Sequence, residues 1–124
     1  AIGLMQLIPP TAKKLRPGTR ARDLFEPEIN VALGTKYMAQ LLRRFESKHH
    51  LALASYNAGV NKVEKWLKRY PTQDELLFVE LMPYQETKDY VVNILRNKFW
   101  YEYLYEKKSP GQKGMAFERG GAIF

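Results

Sequence analysis

Ile29, Leu33, Tyr37, Leu41 and Phe45 recur at every fourth position, with Lys36, Arg43 and Arg44 among the residues between them. This spacing predicts an amphipathic helix with one apolar face. Pro27 stands just inside its expected start, where a missing N–H costs nothing, and Glu26 and Glu28 suit the positive end of the helix dipole. A second helical stretch runs from Leu51 to about Tyr56 and stops at Gly59, a natural left-handed terminator. Asn61 is expected to cap a third helix carrying Val63, Trp66, Leu67 and Tyr70, which Pro71 ends. Thr72 and Glu75 form a capping-box pattern that opens a short fourth helix up to Pro83. In the last stretch, from about Glu86 to Tyr105, Val91, Leu95, Phe99 and Tyr103 share one stripe, with Ile94 and Trp100 beside it. Such a wide apolar band predicts the central core helix. No segment alternates with period two over a strand's length and no repeat is visible, so the expected fold class is all-α.

Length and composition narrow the picture. The chain has 124 residues, and 45% of them are apolar, which is too many for a disordered protein and enough for one core. Residues 1–106 are expected to form that domain, and Gly111, Gly114, Gly120 and Gly121 predict a loosely packed tail over residues 107–124. The chain has no cysteine, which excludes a disulfide scaffold, a thiolate zinc site and a cysteine nucleophile. His49 and His50 are adjacent and cannot form a metal cage by themselves. No apolar run approaches the ~18 residues of a transmembrane span. The opening residues AIGLMQLIPPTA carry no signal-peptide pattern and read as the middle of a longer polypeptide. A net charge of +7 fits an anionic partner or plain solubility. Lys13-Lys14, Arg43-Arg44 and Lys107-Lys108 are scattered over different segments, whereas a nucleic-acid surface gathers its cations on one face. No nucleic-acid partner is expected.

Three clusters stand out from a generic helical pattern. In Gly3-Leu4-Met5-Gln6-Leu7-Ile8-Pro9 a polar amide sits among apolar residues before a proline break, so Gln6 faces a cleft or is an ordinary surface or helix-end amide. Ser55-Tyr56-Asn57-Ala58-Gly59 places a phenol and an amide at a helix C-terminus, where small neighbours permit close approach, although the same pattern suits a plain C-cap. In Phe78-Val79-Glu80-Leu81-Met82-Pro83-Tyr84 a carboxylate interrupts an apolar run. Glu80 is therefore expected to be buried, with a partner such as Arg, Lys or a helix N-terminus, or with a shifted pKa.

Taken together and in order, GLMQLIPPTA, ALASYNAGVNKVEKW and FVELMPYQETKDYV resemble the successive motifs of the soluble lytic transglycosylases of bacterial cell walls. The intervening FEPEINVALGTKYM is similar to that family's helix between the first two motifs. The resemblance covers about Gly3 to Tyr105 and implies a lysozyme-like helical domain related to goose-type lysozyme, here N-terminally incomplete and lacking its first helix. It implies cleavage of the β-1,4 bond between N-acetylmuramic acid and N-acetylglucosamine of peptidoglycan, without water, to leave a 1,6-anhydro ring. One glutamate performs both proton transfers, unlike the paired carboxylates of glycoside hydrolysis. Carried over by position, Met5, Gln6 and Ile8 line the glycan cleft, Tyr56 positions the acid and the reacting sugar, and Asn57 holds backbone or an N-acetyl group. Glu80 becomes a buried carboxylate supporting the cleft, and Tyr90 a candidate for its floor. The resemblance implies no metal and no organic cofactor, and a place in the periplasm or outside the cell.

The family's catalytic glutamate belongs to a Glu-Ser motif ahead of GLMQ, so it is expected N-terminal to Ala1, and no catalytic residue is assigned within this chain. Glu46-Ser47 stands in the wrong order relative to the three motifs, and Glu118 lies in the Gly-rich tail. The expectation is a piece of a longer enzyme. The alternative is a domain of the same fold that binds peptidoglycan without cutting it.

Overall fold

The structure, a computed structural model, describes residues 1–106. The expected tail over residues 107–124 lies outside the described residues. Six α-helices follow in order: α1 (Pro9–Leu15), α2 (Pro27–Arg44), α3 (His49–Ala58), α4 (Val60–Arg69), α5 (Glu75–Leu81) and α6 (Gln85–Glu106), with a 3-10 turn at Ala21–Phe25. Among the described residues there is no strand, only an isolated antiparallel bridge between Ile2 and Leu7. No helix among them is long and apolar enough to cross a membrane. The chain divides into two compact units, Ala1–Ala52 and a second beginning at Leu53, so the division falls within α3.

In the first unit, the predicted periodicity of α2 becomes its buried face. Leu33, Leu41 and Phe45 are buried, as are Leu7, Ala12 and Leu24 elsewhere in the unit. Each such large side chain contributes roughly 1.5–3 kcal/mol relative to exposure. Pro9, expected to break the chain, instead opens α1, because proline at the first helical position loses no hydrogen bond. The ammonium of Lys36 on α2 donates to the Leu15 carbonyl at 3.1 Å and satisfies one of the unpaired acceptors at the end of α1. Beyond α2, Glu46 and Ser47 adopt positive φ (54° and 63°), and the Ser47 N–H bonds the Leu42 carbonyl at 2.7 Å, which closes the helix end.

In the second unit, Val63, Trp66, Phe78, Val79, Met82 and Val91 are buried. Three expectations are corrected here. Asn61 does not cap α4: Gly59, at φ 99° and ψ 145°, is the N-cap, because α4 begins immediately after α3 and the sharp turn between them needs a conformation open to glycine alone. Asp74, not Thr72, caps α5 by accepting from the Leu77 N–H at 3.1 Å, while the Thr72 hydroxyl accepts from the Asp74 N–H. Nor is α6 a central core helix, since Thr87 and Val91 are its buried residues and Trp100 is 51% exposed. The physical reason is length. Its 22 residues extend about 33 Å whereas the 7 residues of α5 against it cover roughly a third of that, so the helix outruns its partner. Its C-terminal half carries a ring cluster of Phe99, Trp100 and Tyr103 with centroids 5.2–6.3 Å apart.

Candidate functional site

The first unit presents Met5, Gln6 and Ile8 on a tight loop. Ile2 and Leu7 exchange backbone bonds (2.8 and 3.0 Å), and the turn between them closes when Gln6 N–H donates to the Gly3 carbonyl at 3.1 Å. The Gln6 side-chain amide donates to the same carbonyl at 2.8 Å. Gln6 holds φ 51°, a left-handed conformation that costs a non-glycine residue on the order of 1 kcal/mol and that the turn imposes. The result is an exposed glutamine whose backbone and side chain are both oriented. Ile8, 48% exposed, stands at the N-cap of α1, and Met5 is half-buried.

The loop is held by two residues of α2 that lie outside the three clusters. Asn30 on α2 is fully buried, accepts from the Met5 N–H at 2.8 Å, and donates to the carbonyls of Ile2 (2.7 Å) and Leu24 (3.0 Å). A turn later, Gly34 lies against Met5 so closely that a Cβ there would stand 2.5 Å from the Met5 Cβ. The available signal was a buried-face register, Asn30-Leu33-Gly34-Tyr37, that places an amide and a glycine among apolar positions.

In the second unit the candidates gather on the first turns of α6 and the elements beside them. Asn57, exposed on the last turn of α3, accepts at its side-chain oxygen from the hydroxyl of Thr87, which is 1% exposed, at 2.7 Å. Because that oxygen is engaged, the amide nitrogen of Asn57 is the donor end available to a carbonyl oxygen. Tyr56 precedes it and is half-buried. Ser55 is fully buried, and its hydroxyl has no hydrogen-bond partner among the described residues. On α5, Glu80 is not buried, contrary to expectation. Its side chain is 75% exposed and stands 3.9 Å from the Lys88 ammonium. The short α5 buries only Phe78 and Val79, and Glu80 follows them around the helix onto the solvent side, where water and Lys88 solvate the carboxylate. Asn57 and Glu80 thus contact consecutive residues of α6, Thr87 and Lys88, and Tyr90 follows Thr87 by three positions on the same helix. Beside this group, Tyr84 meets Trp66 edge to face at 5.3 Å, and the Lys62 ammonium lies 4.6 Å from the Tyr84 ring centre. Lys62 and Tyr84 both stand within the motifs, which give no sign that the two side chains meet. Among the described residues no group of three His, Cys, Asp or Glu is placed to hold a metal.

Burial raises the phenol pKa of both Tyr37 and Tyr90. The folded chain therefore holds these protons more tightly than the unfolded one. The stabilisation is fully present below the unfolded phenol value of ~10 and is lost as pH rises through the higher folded values. The melting temperature is expected to fall as pH rises from about 10 upward, and less steeply in a Tyr37→Phe, Tyr90→Phe double variant. Thermal melts across that range, read by circular dichroism, check this.

The family model of the transglycosylase SLT domain matches residues 1–79. The chain belongs to the transglycosylase SLT family. It is 40% identical over 118 residues to the putative soluble lytic murein transglycosylase of Haemophilus influenzae, and 35% identical over 115 residues to the soluble lytic murein transglycosylase of Escherichia coli K12. These alignments cover 89% and 87% of the chain but only 20% and 18% of the relatives' own lengths. Among solved structures, an inactive Glu-to-Gln mutant of the lytic transglycosylase Slt from Pseudomonas aeruginosa superposes with a TM-score of 0.71 at 36% identity. That match covers 86% of this chain and 17% of the other. Over the described residues the SLT chain is thus all-α, as its sequence pattern predicted, and of the lysozyme-like helical class, as the resemblance implied. The Gly3–Gln6 loop and Ser55–Gly59 fall within the family match, and Glu80 immediately follows it.

Proposed function

We propose that the protein carrying this SLT chain is a peptidoglycan lytic transglycosylase of the periplasm or cell envelope. Its reaction would be non-hydrolytic cleavage of the bond between N-acetylmuramic acid and N-acetylglucosamine. A glutamic acid protonates the glycosidic oxygen as it leaves with N-acetylglucosamine. The resulting carboxylate takes the proton of the muramyl C6 hydroxyl while O6 bonds to C1, so the ring closes and no water is consumed. No residue of this chain is assigned the proton transfer. The residues of this chain bind and orient the substrate. Met5, Gln6 and Ile8 line the glycan path, Tyr56 positions the acid and the reacting sugar, and Tyr90 floors the site. Glu80, exposed rather than buried, is suited to accept hydrogen bonds from sugar hydroxyl or amide groups.

One observation supports this reading above the others. The Thr87 hydroxyl bonds the oxygen of the exposed Asn57 amide, so Asn57 offers an N–H donor, the group that an N-acetyl carbonyl requires. The positive net charge adds long-range attraction to a glycan strand that carries carboxylates. Incubation of the full-length protein with purified peptidoglycan, followed by mass spectrometry of the soluble muropeptides, is the test. The expected products end in 1,6-anhydro-muramyl residues, 18 Da below their hydrated counterparts, about the mass of one water. Reducing-end products would indicate hydrolysis. Glycan binding with no soluble product would indicate a non-catalytic binding domain.

A further inference from the structure

We infer that Asn30, together with Gly34, is a positioning residue for the glycan-contacting loop of Met5 and Gln6. This inference rests on the transglycosylase reading. Asn30 is fully buried, yet it uses both ends of its amide on main-chain groups distant in sequence. Its oxygen takes the Met5 N–H, and its nitrogen donates to the carbonyls of Ile2 and Leu24. These three bonds tie the loop's first residue, its middle and the 3-10 turn ahead of α2 to a single point on α2. No other residue type of that size presents an acceptor and two donors in this geometry. Asp lacks the donors, and Leu of similar volume would remove the Asn30 partner from the Met5 N–H and the Leu24 carbonyl and one of the two donors on the Ile2 carbonyl, which keeps only the Leu7 N–H.

Two close approaches make the seat specific to the present side chains. A Cβ on Gly3 would meet the Asn30 amide nitrogen at 2.3 Å, and Gly3 also holds φ 76°, so the loop lies directly on Asn30 only because Gly3 has no side chain. A Cβ on Gly34 would stand 2.5 Å from Met5 Cβ and 2.6 Å from its Cγ, so Gly34 is the recess that receives Met5. Gln6, the next residue, is held at φ 51°. Left-handed glutamine is a conformation that a free loop abandons, and the clamp on either side maintains it. Asn30, fully buried, touches no substrate. It acts through the placement of Gln6.

The test uses the full-length protein and its Asn30→Ala and Gly34→Ala variants. Gly34→Ala is the second, independent probe, because alanine favours a helix more than glycine does and its effect arises at Met5. Three readouts are taken on each protein: the thermal melt, hydrogen exchange of the Met5 amide by NMR, and kcat/KM for release of anhydro-muropeptides, measured well below the melting temperature. The expected result is loss of Met5 amide protection in Asn30→Ala and at least a tenfold fall in kcat/KM in both folded variants. A merely structural asparagine would lower the melting temperature and leave kcat/KM within twofold, which overturns the proposal. So does a Met5 amide that exchanges freely in the wild-type protein, a measurement that needs no variant to fold. If wild type yields no anhydro product, the transglycosylase reading fails separately. The same variants are then compared for binding to peptide-free glycan strands. A tenfold weaker affinity supports the positioning role, and unchanged or absent binding overturns it.

Discussion

Full-length protein carrying Tyr56→Phe is expected to release anhydro-muropeptides about 10²-fold more slowly than wild type, while its stability changes by only about 1 kcal/mol. Tyr56 and Asn57 occupy the last turn of α3, which must end there because Gly59 at φ 99° turns the chain into α4. Thr87 anchors the neighbouring Asn57 amide, so this helix end is held at a second point on α6. On the proposed reading the Tyr56 phenol gives one hydrogen bond to the acid or the reacting sugar, and one such donor contributes roughly 2.7–4 kcal/mol to a transition state in which charge develops. Removing the hydroxyl keeps the ring and its packing, which is why stability changes little. Rates of muropeptide release set beside thermal melts separate the two effects. A rate loss no larger than the stability loss would reduce Tyr56 to a packing residue.

Phe78→Ala is expected to destabilise the chain by about 3–5 kcal/mol, a large share of a small domain's total stability. Phe78 is 2% exposed and, with Val79, supplies the buried face of α5. That helix has only 7 residues, too few to persist without tertiary packing. Its Asp74 cap contributes about 1 kcal/mol and cannot compensate. Since α5 carries Glu80 and pairs it with Lys88 on α6, loss of the ring should also loosen the carboxylate's placement. Urea unfolding of wild type and variant measures the first effect. A cost below about 1.5 kcal/mol would mean that the site collapses around the cavity or that the ring packs poorly.

Each candidate residue belongs to a motif visible in the chain, yet its surroundings often differ from what the motif suggests. The every-fourth-residue spacing from Ile29 to Phe45 leads directly to α2, because a helix that long and that one-sided has few alternatives. The same reasoning misjudged Glu80. A carboxylate inside FVELM reads as buried when the run is taken as uniformly covered, but α5 buries just two residues. It also overstated α6, whose apolar stripe is continuous in sequence but is buried only near its N-terminal end in this structure. Periodicity records which residues share a face. It carries no information on how far along that face a neighbour extends.

By itself the sequence determined the helical class, the order of the long helices, and the positions of Gln6, Tyr56, Asn57 and Glu80 in ordered motifs, because propensity, punctuation and short-range spacing are local properties. Tertiary structure alone decided that Asn30 seats the Met5 loop across 25 residues of chain, that Thr87 bonds Asn57 across 30, and that Glu80 faces Lys88 in solvent. Those choices depend on main-chain groups and side chains brought together by packing, and hydrogen bonds between residues so far apart leave no periodic trace in the sequence.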